Sequence, residues 1–254
     1  MARSFNGTSD FITVTNNALL SPTTYLSCAG WMFVNSFANW AHCIVKPART
    51  TWTLPYMDYG LRIEGNGSGN PNVVTLTVSG TTIPSGIAQG TVVSTGVWVH
   101  IAGTYDGVNV RTYLNGKLDW TGALTGAINA NGQNLHLGFS QTGDSAGNLN
   151  GNIADAAVWG NAVLSGVEIY ALAHGARPGN IRPGSVAAWW PFDGYILPAI
   201  DRSLNRNNGV LTGTAFVPGP PLISAAPIFP GIAMPEAFTF IPPPVFILMP
   251  QIVT

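Results

Sequence analysis

Paired carboxylates are the first chemistry to look for in this sequence, because two acids on one face of a fold can cleave a sugar bond. Glycoside hydrolysis needs two carboxyl groups roughly 5 to 9 Å apart, one on each side of the bond. The only glutamates are Glu64, Glu168 and Glu236, and none has an acidic neighbour within four residues. The sequence therefore predicts no glycosidase site, and we expect the protein not to be an enzyme.

A serine pattern and four histidines are the other residues that could do chemistry. Residues 143–147 (GDSAG) match G-x-S-x-G, which marks a nucleophile only at a strand-to-helix elbow. Here the pattern falls in a Gly/Asn-rich loop between predicted strands, so turn formation explains it. The four histidines share no metal-ligand spacing: His42, His100, His136 and His174. His100 and His136 fall within predicted strands and are expected to be hydrogen-bonded structural residues. We assign no catalytic residue and no metal ligand.

An aromatic stretch between residues 40 and 59 offers binding chemistry instead. Saccharide binding uses exposed aromatic faces with amide and carboxylate hydrogen bonds in a cleft. The candidate carbohydrate-binding residues, with Arg49 beside them, are Trp40, Trp52, Tyr56, Tyr59 and Asp58. The same aromatics would equally suit a core or a subunit contact, where Trp and Tyr are also enriched.

These residues must be positioned by short strands, which recur through the first two-thirds of the chain. Alternating patterns predict strands at residues 11–14, 73–78, 98–105, 110–114 and 135–139. Asp106-Gly107 and Asn115-Gly116 are expected to form tight hairpin turns. One helix is predicted over residues 164–174, capped by Ser165 and Glu168 and ended by Gly175. Many strands with turns between them predict an all-β sandwich or barrel.

Composition narrows the class of protein. The chain has 254 residues, 46% of them hydrophobic, which is enough for a sizeable core. Only 8% are charged and the net charge is -1, so nothing favours nucleic acid as a partner. A surface so poor in charge suits a protein packed in a lattice or shell. A monomer with a neutral polar surface is the alternative.

The two cysteines and the N-terminus say little about location. Cys28 and Cys43 lie in strand-like runs that could pair, so a disulfide is possible, but buried free thiols are the favoured interpretation. No apolar segment follows the first residues, so we expect no secretory signal.

Composition changes at residue 218. Ten of the residues 218–254 are proline, and Glu236 is the only charge among them. Frequent proline excludes a membrane helix. The apolar side chains there need burial, which predicts an extended arm that docks on neighbouring subunits or wraps its own domain. The proposed assembly residues of this arm are Phe229, Phe238, Phe240, Phe246, Ile247, Leu248 and Met249.

The order of these motifs resembles the laminin-G-like domains of the concanavalin A-like family. The most specific stretch is WVHIAGTYDG at residues 98–107, followed by YLNGK at 113–117. Further matching segments are residues 4–14, 29–32, 135–138, 149–155 and 164–165. Two features depart from the family pattern: Ala156 stands where an acid is common, and residues 189–194 and 207–213 resemble segments that usually precede the opening strand.

The resemblance implies a two-sheet antiparallel β-sandwich, a concanavalin-like jelly roll with one short helix. We expect it to span residues 1–217, closed by strands at about 186–216, with the Pro-rich C-terminal arm at 218–254. Calcium is the usual metal of such folds, so a structural calcium ion is possible, with Asp10, Asp155 and Asp193 as candidates. No other cofactor is expected.

Two functions follow from this interpretation. The arrangement of closing segments after the helix, ending in a Pro-rich arm, resembles laminin-G-like proteins of bacterial viruses. This favours a non-catalytic assembly protein on a virion surface, in a homo-oligomer or with capsid or tail proteins. The alternative is a carbohydrate-binding module for cell-surface glycans, located outside the cell if the protein is cellular.

Overall fold

The computed structural model describes residues 1–69, 71–83, 90–141, 143–144, 146–193 and 198–221. Within them the chain forms fifteen strands, one α-helix and three short 3-10 helices. The strands are β1 (Ala2–Asn6), β2 (Phe11–Val14), β3 (Leu26–Val34), β4 (Ala41–Pro47), β5 (Met57–Ile63), β6 (Val74–Val78), β7 (Thr81–Ile83), β8 (Trp98–Tyr105), β9 (Asn109–Leu114), β10 (Lys117–Ala123), β11 (Leu135–Leu137), β12 (Asn150–Gly160), β13 (Val186–Trp190), β14 (Gly209–Thr212) and β15 (Ala215–Val217). The helix α1 spans Gly166–Ala173, and the 3-10 helices span Ala18–Leu20, Pro178–Asn180 and Pro183–Ser185.

The strands form two antiparallel sheets, as the resemblance implies. One sheet runs in the order β10-β9-β8-β3-β12-β1-β15, with β13 also paired to β12. The other runs in the order β14-β2-β11-β4-β5-β6-β7. The three strands that follow the helix join these same sheets: β13 pairs with β12, β14 with β2 and β15 with β1. The concanavalin-like sandwich is therefore the observed fold.

The core lies between the sheets because side chains alternate across each strand. In β8, Val99 and Ile101 point into this core, whereas Ala102 lies on the opposite face in a second apolar cluster. That second cluster also contains Ile169 and Leu172 of α1. The first sheet is consequently buried on both faces, which explains why nearly every residue of β8 is inaccessible to solvent.

Local signals set several boundaries. The Ser165 hydroxyl accepts a hydrogen bond from the Glu168 backbone N–H, and the Glu168 carboxylate accepts one from the Ser165 N–H, so the predicted capping box is confirmed. The predicted strand 135–139 is shorter than expected and ends at Leu137. Gly138 has φ +75, and a Cβ there would lie 2.3 Å from the Phe5 ring, so the chain turns away to admit that ring.

Both cysteines are free and buried, which confirms the favoured interpretation. Burial raises the pKa of the Cys28 thiol well above its usual value and also raises that of Cys43. Both thiols are therefore protonated near neutral pH and behave as small apolar side chains.

Candidate functional site

A row of polar side chains crosses the outer face of the seven-stranded sheet. His42 of β4 pairs in register with Arg62 of β5, and Arg62 pairs with Thr75 of β6. The neighbours of Arg62 in β5, Leu61 and Ile63, belong to the core. Because strand side chains alternate, the row faces away from the core. All three of its residues are nonetheless buried, so other parts of the chain cover this face.

Arg62 is fixed by a buried carboxylate. Its Nε donates to Glu64 Oε1 at 2.9 Å, and its Nη2 lies 2.8 Å from the same oxygen. The Thr75 hydroxyl donates to this oxygen at 2.8 Å. On its other side the guanidinium carbon lies 5.0 Å from the centroid of the Trp40 ring, a cation–π distance. Arg62 therefore joins the sheet to the aromatic residues above it.

Three aromatic rings form a pocket over Arg62. The ring centroids of Trp40 and Trp52 are 5.9 Å apart, and those of Trp52 and Tyr56 are 4.6 Å apart. All three side chains are half-buried. Together with Arg62 and Met57 they line a cavity of about 210 Å³, here called the aromatic pocket. It presents aromatic faces around a buried guanidinium, so it can stack the apolar face of a sugar ring.

The backbone that carries these rings is held tightly. Tyr56 has φ +56, a left-handed conformation that is uncommon for a bulky residue and costs free energy. Two hydrogen bonds maintain it: the Tyr56 N–H donates to the Thr53 carbonyl at 2.8 Å, and the Ala48 N–H donates to the Tyr56 carbonyl at 3.0 Å. The turn at Gly80 packs against the same segment, because a Cβ at Gly80 would lie 2.4 Å from the Pro55 carbonyl oxygen.

Two of the predicted binding residues lie elsewhere. Tyr59 is completely buried in the core, and its hydroxyl donates to the Leu20 carbonyl at 3.0 Å. Asp58 is also buried, and its carboxylate accepts hydrogen bonds from the Asn131 N–H at 2.8 Å and from Asn131 Nδ2 at 2.6 Å. Neither lines the aromatic pocket, so the candidate site retains Trp40, Trp52 and Tyr56 and loses Asp58 and Tyr59.

Sequence reasoning missed Arg62 and Met57 as pocket residues. A signal for Arg62 is its alternation with Leu61 and Ile63, which places it on the opposite face of a strand. Met57 folds over Gly60, where a Cβ would lie 2.6 Å from the Met57 sulfur. A glycine at that position makes room for the methionine, a relationship that the order of residues does not reveal.

His42 lies behind the pocket and is fully buried. Its ring is 6.2 Å from that of Trp40, and within the described residues neither of its nitrogens has a hydrogen-bond partner. Burial lowers the pKa of His42 well below its usual value, and the nearby charge of Arg62 lowers it further. His42 is therefore neutral near physiological pH, and it lies beside Trp40 without lining the pocket.

The calcium candidates are divided between two places. Asp155 and Asp193 line one cavity of about 110 Å³, which Asp10 does not reach. Within the described residues, no group of three or more His, Cys, Asp or Glu side chains could hold a metal ion. A structural calcium ion stays a prediction.

The remaining sequence features fall into three groups. Asp144 of the GDSAG pattern accepts hydrogen bonds from Ser140 Oγ at 2.6 Å and from the Ala146 N–H at 3.1 Å, as expected for a turn. Ser145 and the proposed assembly residues of the arm lie outside the described residues.

No helix in the described part of the chain has the length and apolar character that a membrane crossing requires.

Comparisons with known proteins agree with this architecture. Residues 6–169 match the family model of the concanavalin A-like lectin/glucanases superfamily. None of the curated proteins compared with the chain matches it in sequence.

Two solved structures show the same fold. A candidate carbohydrate-binding protein from Bacteroides ovatus is 16% identical with a TM-score of 0.65, over 85% of this chain and 59% of that one. The chain thus spans less than two thirds of that protein. A heptameric SAP-like pentraxin from Limulus polyphemus is 16% identical with a TM-score of 0.51, over 70% of this chain and 84% of that one.

Proposed function

This chain belongs to the concanavalin A-like lectin/glucanase superfamily, and from that premise we propose that it is a non-catalytic carbohydrate-binding protein. The saccharide stacks in the aromatic pocket formed by Trp40, Trp52 and Tyr56. Its C–H face lies on an indole ring, and the buried Arg62 holds the Trp40 ring in place beneath it. The similar Bacteroides protein, itself a candidate carbohydrate-binding protein, is in keeping with this proposal.

The observation that carries the proposal is the half-buried state of the three rings. Core aromatics in this fold are fully enclosed, as Tyr59 and Trp190 are. Trp40, Trp52 and Tyr56 instead keep part of their surface in contact with solvent around one cavity. The strained backbone at Tyr56 supports the same interpretation, because strain of this kind is concentrated at binding sites.

The engagement of the glutamates supports a binding role rather than catalysis. The Glu64 carboxylate forms an ion pair with Arg62 and accepts a hydrogen bond from the Thr75 hydroxyl. Glu168 caps α1 and pairs with Arg182 at 2.6 Å. Both carboxylates thus serve structural contacts, and Glu236 lies outside the described residues.

The assembly hypothesis takes second place. It depended on the Pro-rich arm, of which residues 222–254 lie outside the described residues. Neither the family match nor the two similar structures points to a virion protein. A virion or extracellular location, and partners in an oligomer, stay predictions.

The test is saccharide binding by the full chain and by Trp52→Ala. A glycan array identifies ligands of the natural protein, and titration calorimetry then measures their affinity. We expect Trp52→Ala to bind about tenfold more weakly, because stacking and apolar contact are lost, and Trp52→Phe to recover part of the affinity. Trp98→Ala is the matched control, because Trp98 is a half-buried tryptophan in the other sheet.

Two results would overturn the proposal. One is an array on which the folded natural protein binds no saccharide. The other is a saccharide whose affinity falls equally in Trp52→Ala and Trp98→Ala, since that would indicate a general loss of stability.

A further inference from the structure

A second cleft lies beside the aromatic pocket on the same sheet. The connection from β4 to β5 separates the two: Trp52 and Tyr56 line the pocket, whereas Arg49 and Thr50 line the cleft. The cleft has a volume of about 260 Å³, enough for one sugar ring, and His136 and Gln141 form its other side. We call it the polar cleft.

Gln141 is the feature that marks the polar cleft as a binding site. Its side chain lines the cleft and is 2% exposed, yet among the described residues neither its amide nitrogen nor its amide oxygen has a hydrogen-bond partner. Burying an amide without partners costs free energy. Both atoms are closed off from solvent, so a ligand that accepts from the nitrogen and donates to the oxygen removes this cost when the side chain turns into the cleft. Neighbouring hydroxyl groups of a sugar do both.

His136 adds an acceptor to the same cleft. Its Nδ1 lies 2.8 Å from the Ser140 carbonyl oxygen, so this nitrogen carries the hydrogen and donates. Burial lowers the pKa of His136, and the positive charge of Lys46 lowers it too, so the ring is neutral near physiological pH. In that tautomer Nε2 bears a lone pair that can accept a hydrogen bond from a hydroxyl group.

Arg49 brings a positive charge to the lining of the cleft. Arg49 is exposed and takes part in none of the ion pairs among the described residues. Lys46 lies buried behind it and donates to Asn16 Oδ1 and to the Gln133 carbonyl. No described Asp or Glu lines the cleft. Burial lowers the pKa of Lys46 to about 8, and the negative charge of Asp58 opposes that shift. The Asp58 carboxylate also accepts a hydrogen bond from the Asn131 N–H.

From this arrangement we infer that the polar cleft binds an acidic sugar, with the carboxylate paired to Arg49 and the hydroxyl groups bound by Gln141 and His136. This rests on the proposed function, since the acidic sugar is one unit of a saccharide whose neighbouring unit stacks in the aromatic pocket. A guanidinium suits a carboxylate because two N–H groups bond its two oxygens in parallel. The inference adds selectivity for charge to the proposed binding activity.

The test compares acidic saccharides with neutral counterparts. Trigalacturonate is paired with its methyl ester, and sialyllactose with lactose. For the natural full-length protein we expect at least one acid to bind about tenfold more tightly than its counterpart, with an advantage that falls as salt is added. Arg49→Gln removes this preference without affecting folding, because Arg49 is exposed. Arg206→Gln is the matched control, since it removes another exposed arginine outside the cleft.

A second variant tests the amide directly. Gln141→Glu places a carboxylate of the same shape in the cleft that holds the ligand's acid, and in protein shown to be folded the added negative charge should weaken acid binding more than neutral binding. If neither acid exceeds its neutral counterpart, or if Arg49→Gln keeps the full preference, the inference is wrong.

The outcomes separate this inference from the proposed function. Neutral saccharides that still need Trp52, without any preference for acids, overturn the inference alone. Acid binding that needs Arg49 but not Trp52 overturns the aromatic pocket and leaves the polar cleft. Absence of all saccharide binding overturns both.

Discussion

The guanidinium of Arg62 lies 5.0 Å from the centre of the Trp40 ring while its nitrogens bind the buried carboxylate of Glu64. One side chain thus connects a buried ion pair to the floor of the aromatic pocket. Arg62 and Glu64 are 5% and 4% exposed, so water screens neither charge well. The contact between Arg62 and Trp40 therefore makes the position of the Trp40 ring depend on the buried Arg62–Glu64 ion pair.

Removing Arg62 should destabilise the protein strongly. Arg62→Met leaves the Glu64 carboxylate buried without its cation, which typically costs about 3–5 kcal/mol of unfolding free energy. Adding Glu64→Gln removes the buried charge and should restore part of that loss. Urea denaturation of the two single variants and the double variant measures the coupling. Equal stability of Arg62→Met and the double variant would contradict the prediction.

Gly80→Ala should weaken saccharide binding by displacing the segment that carries the pocket. The new Cβ would lie 2.4 Å from the Pro55 carbonyl oxygen, next to Tyr56. Gly96→Ala is the control, because Gly96 has nearly the same φ, +76 against +79, but open space around it. Both variants should lose about 1 kcal/mol of unfolding free energy, because a residue with a Cβ is strained in the left-handed conformation. Only Gly80→Ala should also lose saccharide affinity in calorimetry. Equal affinities in the two variants would argue against the role of this contact.

The two neighbouring tyrosines should behave in opposite ways. Tyr59→Phe removes the hydrogen bond to the Leu20 carbonyl and should lower the free energy of unfolding by about 1 kcal/mol, with saccharide affinity unchanged. Tyr56→Ala removes a pocket ring and should weaken binding. Thermal unfolding and calorimetry on both variants decide the matter, and weaker binding by Tyr59→Phe would return Tyr59 to the site.

Acid should destabilise the fold partly through His100. Burial lowers the pKa of His100 from 6.5 to about 3, and the charge of His174 lowers it as well. Between those values the unfolded chain binds a proton that the folded chain does not, so the free energy of unfolding falls as pH falls from 6.5 towards 3. His100→Phe, which can keep the edge contact with Trp31, should show a shallower fall in denaturation measured from pH 7 to pH 4. His42 and His136, whose pKa values are also lowered, titrate in both proteins and cancel in the comparison. Parallel curves would mean that His100 takes up its proton equally in both states.

Local features of the fold were predictable because neighbouring residues produce them. The Asn115-Gly116 pair adopts positive φ at both positions, as a tight hairpin turn requires. Ser165 and Glu168 cap the helix through groups three residues apart. The alternation of Val99 and Ile101 specifies which face of β8 enters the core. Each signal lies within one turn or one strand, so the residues that interact are also neighbours in the sequence.

The site was only partly predictable because the direction of each aromatic side chain depends on where strand β5 begins. Tyr56 and Tyr59 are three positions apart and look equivalent in the sequence. Tyr59 lies within β5 on the face that enters the core, whereas Tyr56 precedes the strand in a left-handed conformation that faces the pocket. The boundary of β5 at Met57 therefore decides the role of each ring.

By itself, the sequence determined an all-β sandwich or barrel with an aromatic stretch that suits sugars, because alternation, turn residues and composition are local properties. The choice of the two-sheet sandwich came from the resemblance to laminin-G-like domains. Only the tertiary structure decided that Arg62 supports the pocket and that Gln141 and Arg49 line one cleft. Arg49 and Gln141 are far apart in the chain, and pairing of β11 with β4 brings their segments together. Strand pairing between distant segments brings together the side chains of a binding site, and no run of neighbouring residues encodes it.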